Sequence, residues 1–172
     1  MKRTPAFRKQ QMVGEFQAEW RWCFKCQGLF FLGNPSQGIC PSDGKSHDAS
    51  KSGKYLVNFG ETHPGGSDGF SSTPGQQGGW RWCHKCQGLF FAGDANQGVC
   101  PADHHGHDAS ISGHYSMVLD DGTNCIGQLH WRGCRKCRGL FFSGNPDQGA
   151  CPAGGTHEAA NSGLYQLRRR EF

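Results

Sequence analysis

From Glu15 to Cys23 the chain reads EFQAEWRWC, and hydrophobic and polar positions alternate. Phe16, Ala18, Trp20 and Trp22 fall on one side, Glu15, Gln17, Glu19 and Arg21 on the other. A period of two predicts a half-buried β-strand. After a short turn, GLFF (28–31) predicts the returning strand of a hairpin, ended by Gly33. The same sequence of events recurs, with the second hairpins ended by Gly93 and Gly144. A last apolar run opens after each Ser-Gly, as YLVNF, YSMVL and YQLRR, and predicts three further short strands. No segment carries a long 3.6-residue apolar period, so the expected class is all-β.

The pattern repeats as a whole. Residues 20–55, 80–115 and 131–165 share W-R-x-C-x-K-C-x-G-L-F-F-x-G-x-x-x-Q-G-x-C-P, then a His, then S-G-x-Y, and the first two windows are identical at 24 of 36 positions. Two sets of three cysteines follow the same spacing as the third: Cys23, Cys26, Cys40; Cys83, Cys86, Cys100; Cys134, Cys137, Cys151. His47, His107 and His157 follow them, and the step from His to Gly53, Gly113 or Gly163 is constant although the third copy is one residue shorter before its His. Three cysteines per copy cannot all pair within a copy, whereas three thiolates and one imidazole complete a tetrahedral Zn2+ site. Three Zn2+ ions are therefore expected, with a disulfide framework between copies or a redox C-x-x-C as the competing readings. Four protein ligands leave no open coordination position, so the ions are expected to be structural. Gly28, Gly88 and Gly139 stand where a tight turn can aim N–H groups at sulfur.

A C-x-x-C knuckle on a hairpin, completed by distant ligands, resembles the zinc-ribbon modules. The resemblance covers the three windows, 107 of 172 residues. It departs from the ribbon in its second half, which is C…H instead of a second C-x-x-C. A looser similarity to RNA-binding fingers that open W-x-C-x-x-C lacks their second cysteine pair. Neither resemblance identifies an activity. The implied architecture is small and metal-rich: three tandem zinc-ribbon-like β-hairpin modules. The expected organisation is a basic segment with a leading strand (1–19), module one (20–55), a Gly/Ser/Pro-rich linker (56–79), module two (80–115), a second linker (116–130), module three (131–165) and a basic tail (166–172). Beads on a string and packing about a pseudo-threefold axis both fit. The repeated aromatics favour packing, because units this small expose much apolar surface when alone. Adjacent phenylalanines on a strand face opposite ways, so one of each pair either meets a neighbouring module or lies exposed.

Composition sharpens the metal reading. Only 35% of residues are hydrophobic and 27 are Gly, which leaves little material for a large core. A unit of 36 residues is below the roughly 40 at which a core alone usually suffices. A structural zinc supplies on the order of 10 kcal/mol that exists only in the folded state. No run reaches the roughly 18 apolar residues of a membrane span. The basic start lacks the apolar run of a Sec signal peptide, so a cytoplasmic home and a leaderless route of export both fit.

Formal charge is +4, and three thiolates with one divalent ion add −1 per site, which brings the chain near +1. The basic residues gather at the ends (Lys2, Arg3, Arg8, Lys9; Arg168, Arg169, Arg170), while module two is acidic. A nucleic-acid binder needs a continuous basic surface. Arg21, Arg81 and Arg132 with Lys25, Lys85 and Lys136 either stud one such face or sit beside the thiolates and offset their charge. Candidate ligand-binding residues are Trp22 and Trp82, as stacking platforms if exposed, and the loop residues Asn34, Gln37, Asp94, Gln97, Asn145 and Gln148, with turn formation as their plainer role. Asp48, Asp108 and Glu158 follow the ligand histidines and are candidates to orient them. His84, His104, His105 and His114 raise a second metal site in module two, and Cys125 stands outside the repeat. No Ser/His/Asp set, phosphate loop or repeated carboxylate pair is present, so no enzyme is expected. The expected function is a multivalent binding or assembly module for glycan or protein, with self-assembly or single-stranded nucleic acid as alternative roles.

Overall fold

The structure is a computed structural model that describes residues 16–59, 76–120, 122 and 127–169, with the backbone of Met12 and Val13. Cys125, the basic residues before Met12 and most of the first linker lie outside the described residues. Ten described strands, and no described helix, form one antiparallel system: β1 (Met12–Val13), β2 (Phe16–Trp22), β3 (Leu29–Phe31), β4 (Tyr55–Phe59), β5 (Gln76–Trp82), β6 (Leu89–Phe91), β7 (Tyr115–Leu119), β8 (Gly127–Gly133), β9 (Leu140–Phe142) and β10 (Tyr165–Arg169). Each copy contributes a long strand flanked by two shorter ones: β3–β2–β4, β6–β5–β7 and β9–β8–β10. The ends of both expected linkers, 56–59 and 76–79 of the first and 116–119 and 127–130 of the second, are thus strand, as are 166–169 of the expected tail.

The long strands do not present one uniform apolar face. Glu19, Gly79 and His130 occupy the same place in the three copies and take positive φ, 76°, 90° and 78°. The register shifts there, between Gln17 and Trp20 and between Gln77 and Trp80. A bulge inserts one residue and exchanges the faces beyond it. Gln17 and Trp20 therefore meet on the same side, and Trp20 Nε1 donates to Gln17 Oε1 at 2.9 Å. Phe16 and Trp22 are half-buried, whereas Trp20 is completely buried.

The three copies close on each other about a pseudo-threefold axis, as the aromatic content favours. At one end the last strands form a triangle: Phe59 pairs with Tyr115, Leu119 with Tyr165, and Arg169 with Tyr55. At the other end the hairpins touch in the same cyclic order, through Phe30 and Gly88, Phe90 and Gly139, and Phe141 and Gly28. Between the two rings lies one shared core of Trp20, Trp80 and Trp131 with Tyr55, Tyr115 and Tyr165, layered on Val57, Met117 and Leu167. Each Trp lies edge-on to a Tyr of another copy at 5.4–5.5 Å (Trp20–Tyr115, Trp80–Tyr165, Trp131–Tyr55). Offset and edge-on aromatic pairs add to the area that burial alone removes from water. Among the described residues Leu164 is the one large hydrophobic that is exposed.

Candidate functional site: three Cys3His metal centres

Cys23, Cys26, Cys40 and His47 converge on one point, as do Cys83, Cys86, Cys100 and His107, and Cys134, Cys137, Cys151 and His157. All twelve residues are buried, and the ligand atoms of each set lie within 4.8 Å of one another. No disulfide joins these nine cysteines. The first and third sulfurs of each set stand 3.8 Å apart, far beyond the roughly 2.05 Å of a disulfide. The second sulfur stands 3.5–3.7 Å from His Nδ1. A tetrahedron with metal–sulfur bonds of 2.3 Å and a metal–nitrogen bond of 2.0–2.1 Å has S–S edges of about 3.8 Å and S–N edges of about 3.6 Å. The donor sets therefore fit a divalent ion of that geometry.

The chain places each ligand by local turns. Gln27 N donates to Cys23 O at 2.7 Å and Cys23 N to Gly28 O at 2.9 Å, which closes the knuckle. The left-handed residue of that turn is Gln27 (φ 67°), with Gln87 and Arg138 in the other copies, and not the glycine that follows. Backbone N–H groups then point at sulfur: Asp48 N to Cys23 at 3.3 Å, Ser42 N to Cys40 at 3.4 Å, and their counterparts Asp108, Ala102, Glu158 and Ala153. Such donors stabilise thiolate and set its orientation. Gly139 N does the same for Cys137 at 3.4 Å.

Protons are shared unequally among the thiols. Hydrogen bonds from Cys26 and Cys40 hold Cys23 far below the ordinary thiol range. Hydrogen bonding to Cys23 pushes Cys40 up to about 11 and, with burial, lifts Cys26 well above its usual value. Module two repeats this with Cys83, Cys100 and Cys86. Burial disfavours the charged ring of His157, but hydrogen bonds to Cys134 and Cys151 outweigh it and bring it to about 9. Without metal the first two clusters are thus each one thiolate solvated by its neighbours, and a divalent ion would take the place of the remaining protons.

The second nitrogen of each ligand imidazole is engaged by the next copy. His47 Nε2 lies 3.1 Å from Cys86 O, His107 Nε2 3.0 Å from Cys137 O, and His157 Nε2 3.1 Å from Cys26 O. A carbonyl only accepts, so Nε2 carries the hydrogen and, in the neutral ring, Nδ1 keeps its lone pair for metal. The orienting group is this carbonyl, and not the carboxylate that follows each His. Asp48 and Asp108 instead cap the N–H groups of Ser50 and Ser110, and Glu158 pairs with Arg135. Phe30, Phe90 and Phe141 stack on the three imidazoles at 4.5–4.7 Å. Their neighbours Phe31, Phe91 and Phe142 turn to the shared core, so both members of each Phe pair find packing.

Gly38, Gly98 and Gly149 were not singled out by the sequence, although all three copies carry them in the Gln-Gly of the repeat. Each has positive φ, and a Cβ there would stand 2.1 Å from the oxygen of Cys86, Cys137 or Cys26. That oxygen is the one the ligand His of the same copy binds. These glycines let one metal loop sit directly on the next knuckle.

The other candidates fall as follows. Trp82 is 1% exposed and packs edge-on to Phe31 at 6.5 Å, so it is a buried seam residue and not an open stacking platform. Trp22 is half-buried against Phe142. Asn34 and Asn145 donate to Gln87 and Gln27 of neighbouring copies at 2.8 and 2.9 Å. Asp94 accepts from Arg138. Gln148 donates to Ser143 O and Asn145 O, and the backbone oxygens of Gln37 and Gln97 receive the N–H of His47 and His107. Lys25 and Lys85 bind Asp43 and Asp103 at 2.7 Å and, with the nearby thiolates, are held in the charged form. Lys136 donates to Gly154 O. Arg21 donates to Trp20 O, and Arg81 to His114 Nδ1 at 2.7 Å. His84 meets Asp108 at 3.2 Å, while His104 and His105 lie on an exposed turn. Among the described residues only the three Cys3His sets gather as metal-ligand groups, so these histidines form no fourth.

No family model, no curated protein and no solved structure matches this chain.

Proposed function

We propose that this protein is a non-enzymatic binding or assembly module for glycan or protein, held in shape by three structural Zn2+ ions. The reading rests on the closure of the metal centres. Four protein atoms surround each centre, every ligand is buried, and the outer imidazole nitrogen is spent on a neighbouring carbonyl. A centre of that kind offers substrate no coordination position. Thiolate with imidazole in a tetrahedral arrangement is the donor set that suits zinc. The ions then do for three small units what a large core does elsewhere.

What remains for recognition is the surface, and it repeats. The loops at 34–37, 94–97 and 145–148 come round the axis in equivalent positions with exposed tips. A repetitive partner would meet related chemistry three times, which raises avidity without new contacts. Lys25 and Lys85 are already paired with carboxylates and Trp82 is buried, which favours glycan or protein over a nucleic-acid strand.

Metal analysis of the purified chain should give three zinc ions per molecule. A screen of the zinc-loaded protein against immobilised glycans, proteins and single-stranded oligonucleotides at two salt concentrations tests the rest. Salt-tolerant binding to a glycan or protein is the expected result. Binding confined to oligonucleotides and lost between low and moderate salt would overturn it.

A further inference from the structure

The three copies meet at three seams, and one seam is built differently. At the first, Trp22 Nε1 donates to Gln27 Oε1, which also accepts from Asn145 of the neighbouring copy. At the second, Trp82, Gln87 and Asn34 repeat this triad. At the third, all three members change together: Gly133 stands for Trp, Arg138 for Gln and Asp94 for Asn. An ion pair of 2.5 Å between Arg138 Nη2 and Asp94 Oδ2 replaces the amide contacts. A fourth position changes in step. Lys51 and Ile111 at the first two seams correspond to Asn161 at the third.

The consequence is a cleft. At the second seam Trp82 is buried, with Ile111 packed on the same core. The first keeps a recess of about 250 Å³ beside Trp22. The third opens to about 410 Å³, within the usual range for small-ligand sites. Its wall carries Trp80, Phe91 and Tyr165, and its polar groups include Asp94, Arg138 and Asn161. Space has been left, not merely lost: a Cβ at Gly133 would meet Trp80 Cη2 at 3.4 Å, an ordinary contact, so a side chain is admissible there.

We infer that the seam at Gly133 is a ligand site for a neutral sugar residue, free or at the end of a glycan; this rests on the reading of the chain as a glycan- or protein-binding module. Three features select that chemistry. Phe91, the wall aromatic that is not fully buried, can meet the C–H face of a pyranose, with the edge of Trp80 behind it. A carboxylate beside a guanidinium and an amide offers acceptors and donors side by side, which matches vicinal hydroxyls that both donate and accept. Each guanidinium of the cleft already faces a carboxylate, Arg138 with Asp94 and Arg135 with Glu158 at 2.8 Å, which weakens its pull on an anion.

The test uses the zinc-loaded full chain and two variants. Gly133→Trp restores the residue of the other seams and fills the cleft. Asp94→Asn removes the acceptor charge and keeps the side chain's shape. Each variant is first checked for metal content and melting temperature against the parent. The three proteins are then run on an array of immobilised neutral and charged glycans and of proteins, with free hexoses and N-acetylhexosamines as competitors and tryptophan fluorescence as the solution readout. The expected result is saturable binding of a neutral glycan by the parent, competed by a free sugar, abolished in Gly133→Trp and weakened about tenfold or more in Asp94→Asn. Equal binding by parent and Gly133→Trp would overturn the site and leave the module reading intact. No glycan or protein bound by the parent would overturn both. A parent that binds only anionic glycans, or only proteins, would overturn the sugar assignment.

Discussion

His47 donates from Nε2 to the main-chain oxygen of Cys86 at 3.1 Å, and Cys86 itself belongs to the Cys3His set of the next copy. The same link runs from His107 to Cys137 and from His157 back to Cys26. The three Cys3His sets are therefore joined in a closed ring of hydrogen bonds.

Metal removal should be cooperative. Titration with a strong chelator, followed by a metallochromic dye and by far-ultraviolet circular dichroism, should show three ions leaving in one transition that coincides with loss of strand signal. Three separated steps, each with a third of the spectral change, would show that the ring carries no coupling. His47→Cys separates ligation from coupling. It keeps a fourth donor but removes the N–H from Cys86 O, so three metals should be retained while stability falls by about 1–3 kcal/mol.

Two glycines with the same backbone strain should behave differently. Gly38 and Gly44 both have φ of 74°, but a Cβ at Gly38 would lie 2.1 Å from Cys86 O, whereas Gly44 has nothing within 4 Å. Gly44→Ala should cost about 1–2 kcal/mol, the strain of a left-handed alanine. Gly38→Ala should cost more than about 3 kcal/mol and reduce metal content, because the loop bearing Cys40 can no longer rest on the second knuckle. Thermal melts of the two variants side by side decide the point.

Phe30 is completely buried and stacks on His47 at 4.6 Å with an interplanar angle of 22°. Phe30→Ala should destabilise by about 3–5 kcal/mol. Phe30→Leu should recover part of that loss in denaturant unfolding, since much of the volume returns but the flat face does not.

Alkaline stability should follow the tyrosines. Tyr55, Tyr115 and Tyr165 are all raised above their ordinary value of 10.0, in each case first by burial, with Tyr165 at about 12. Folded-state values above unfolded ones mean that the unfolded chain ionises first. Their contribution is thus complete below about pH 10 and is lost as pH rises towards 12. Absorbance at the tyrosinate band should stay flat to about pH 11 and then rise together with unfolding. A gradual rise centred on pH 10 in the folded protein would show exposed phenols.

Much of the local structure was legible in the chain. Alternation before Cys23, the C-x-x-C turn and the run after each Ser-Gly are short-range patterns, and strands β4, β7 and β10 fall on YLVNF, YSMVL and YQLRR as expected. The bulge at Glu19 was not legible. Its counterparts are Gly79 and His130, three unlike residues whose shared conformation leaves no shared chemistry in the sequence. Gln17 looked like a solvent-side residue for the same reason, yet it is completely buried and accepts from Trp20 Nε1 and from Tyr115 OH, 98 positions away.

The sequence by itself determined the ligand sets, because three cysteines and one histidine at a repeated spacing leave few ways to satisfy their chemistry, and it determined the all-β class, because periodicity is a property of neighbours. Only the tertiary structure decided what joins the copies. The bond from His157 to Cys26 O spans 131 positions, and the seam opened at Gly133 exists only where two modules meet. Such contacts depend on closure of a ring in space, and each copy carries just one half of every contact in it.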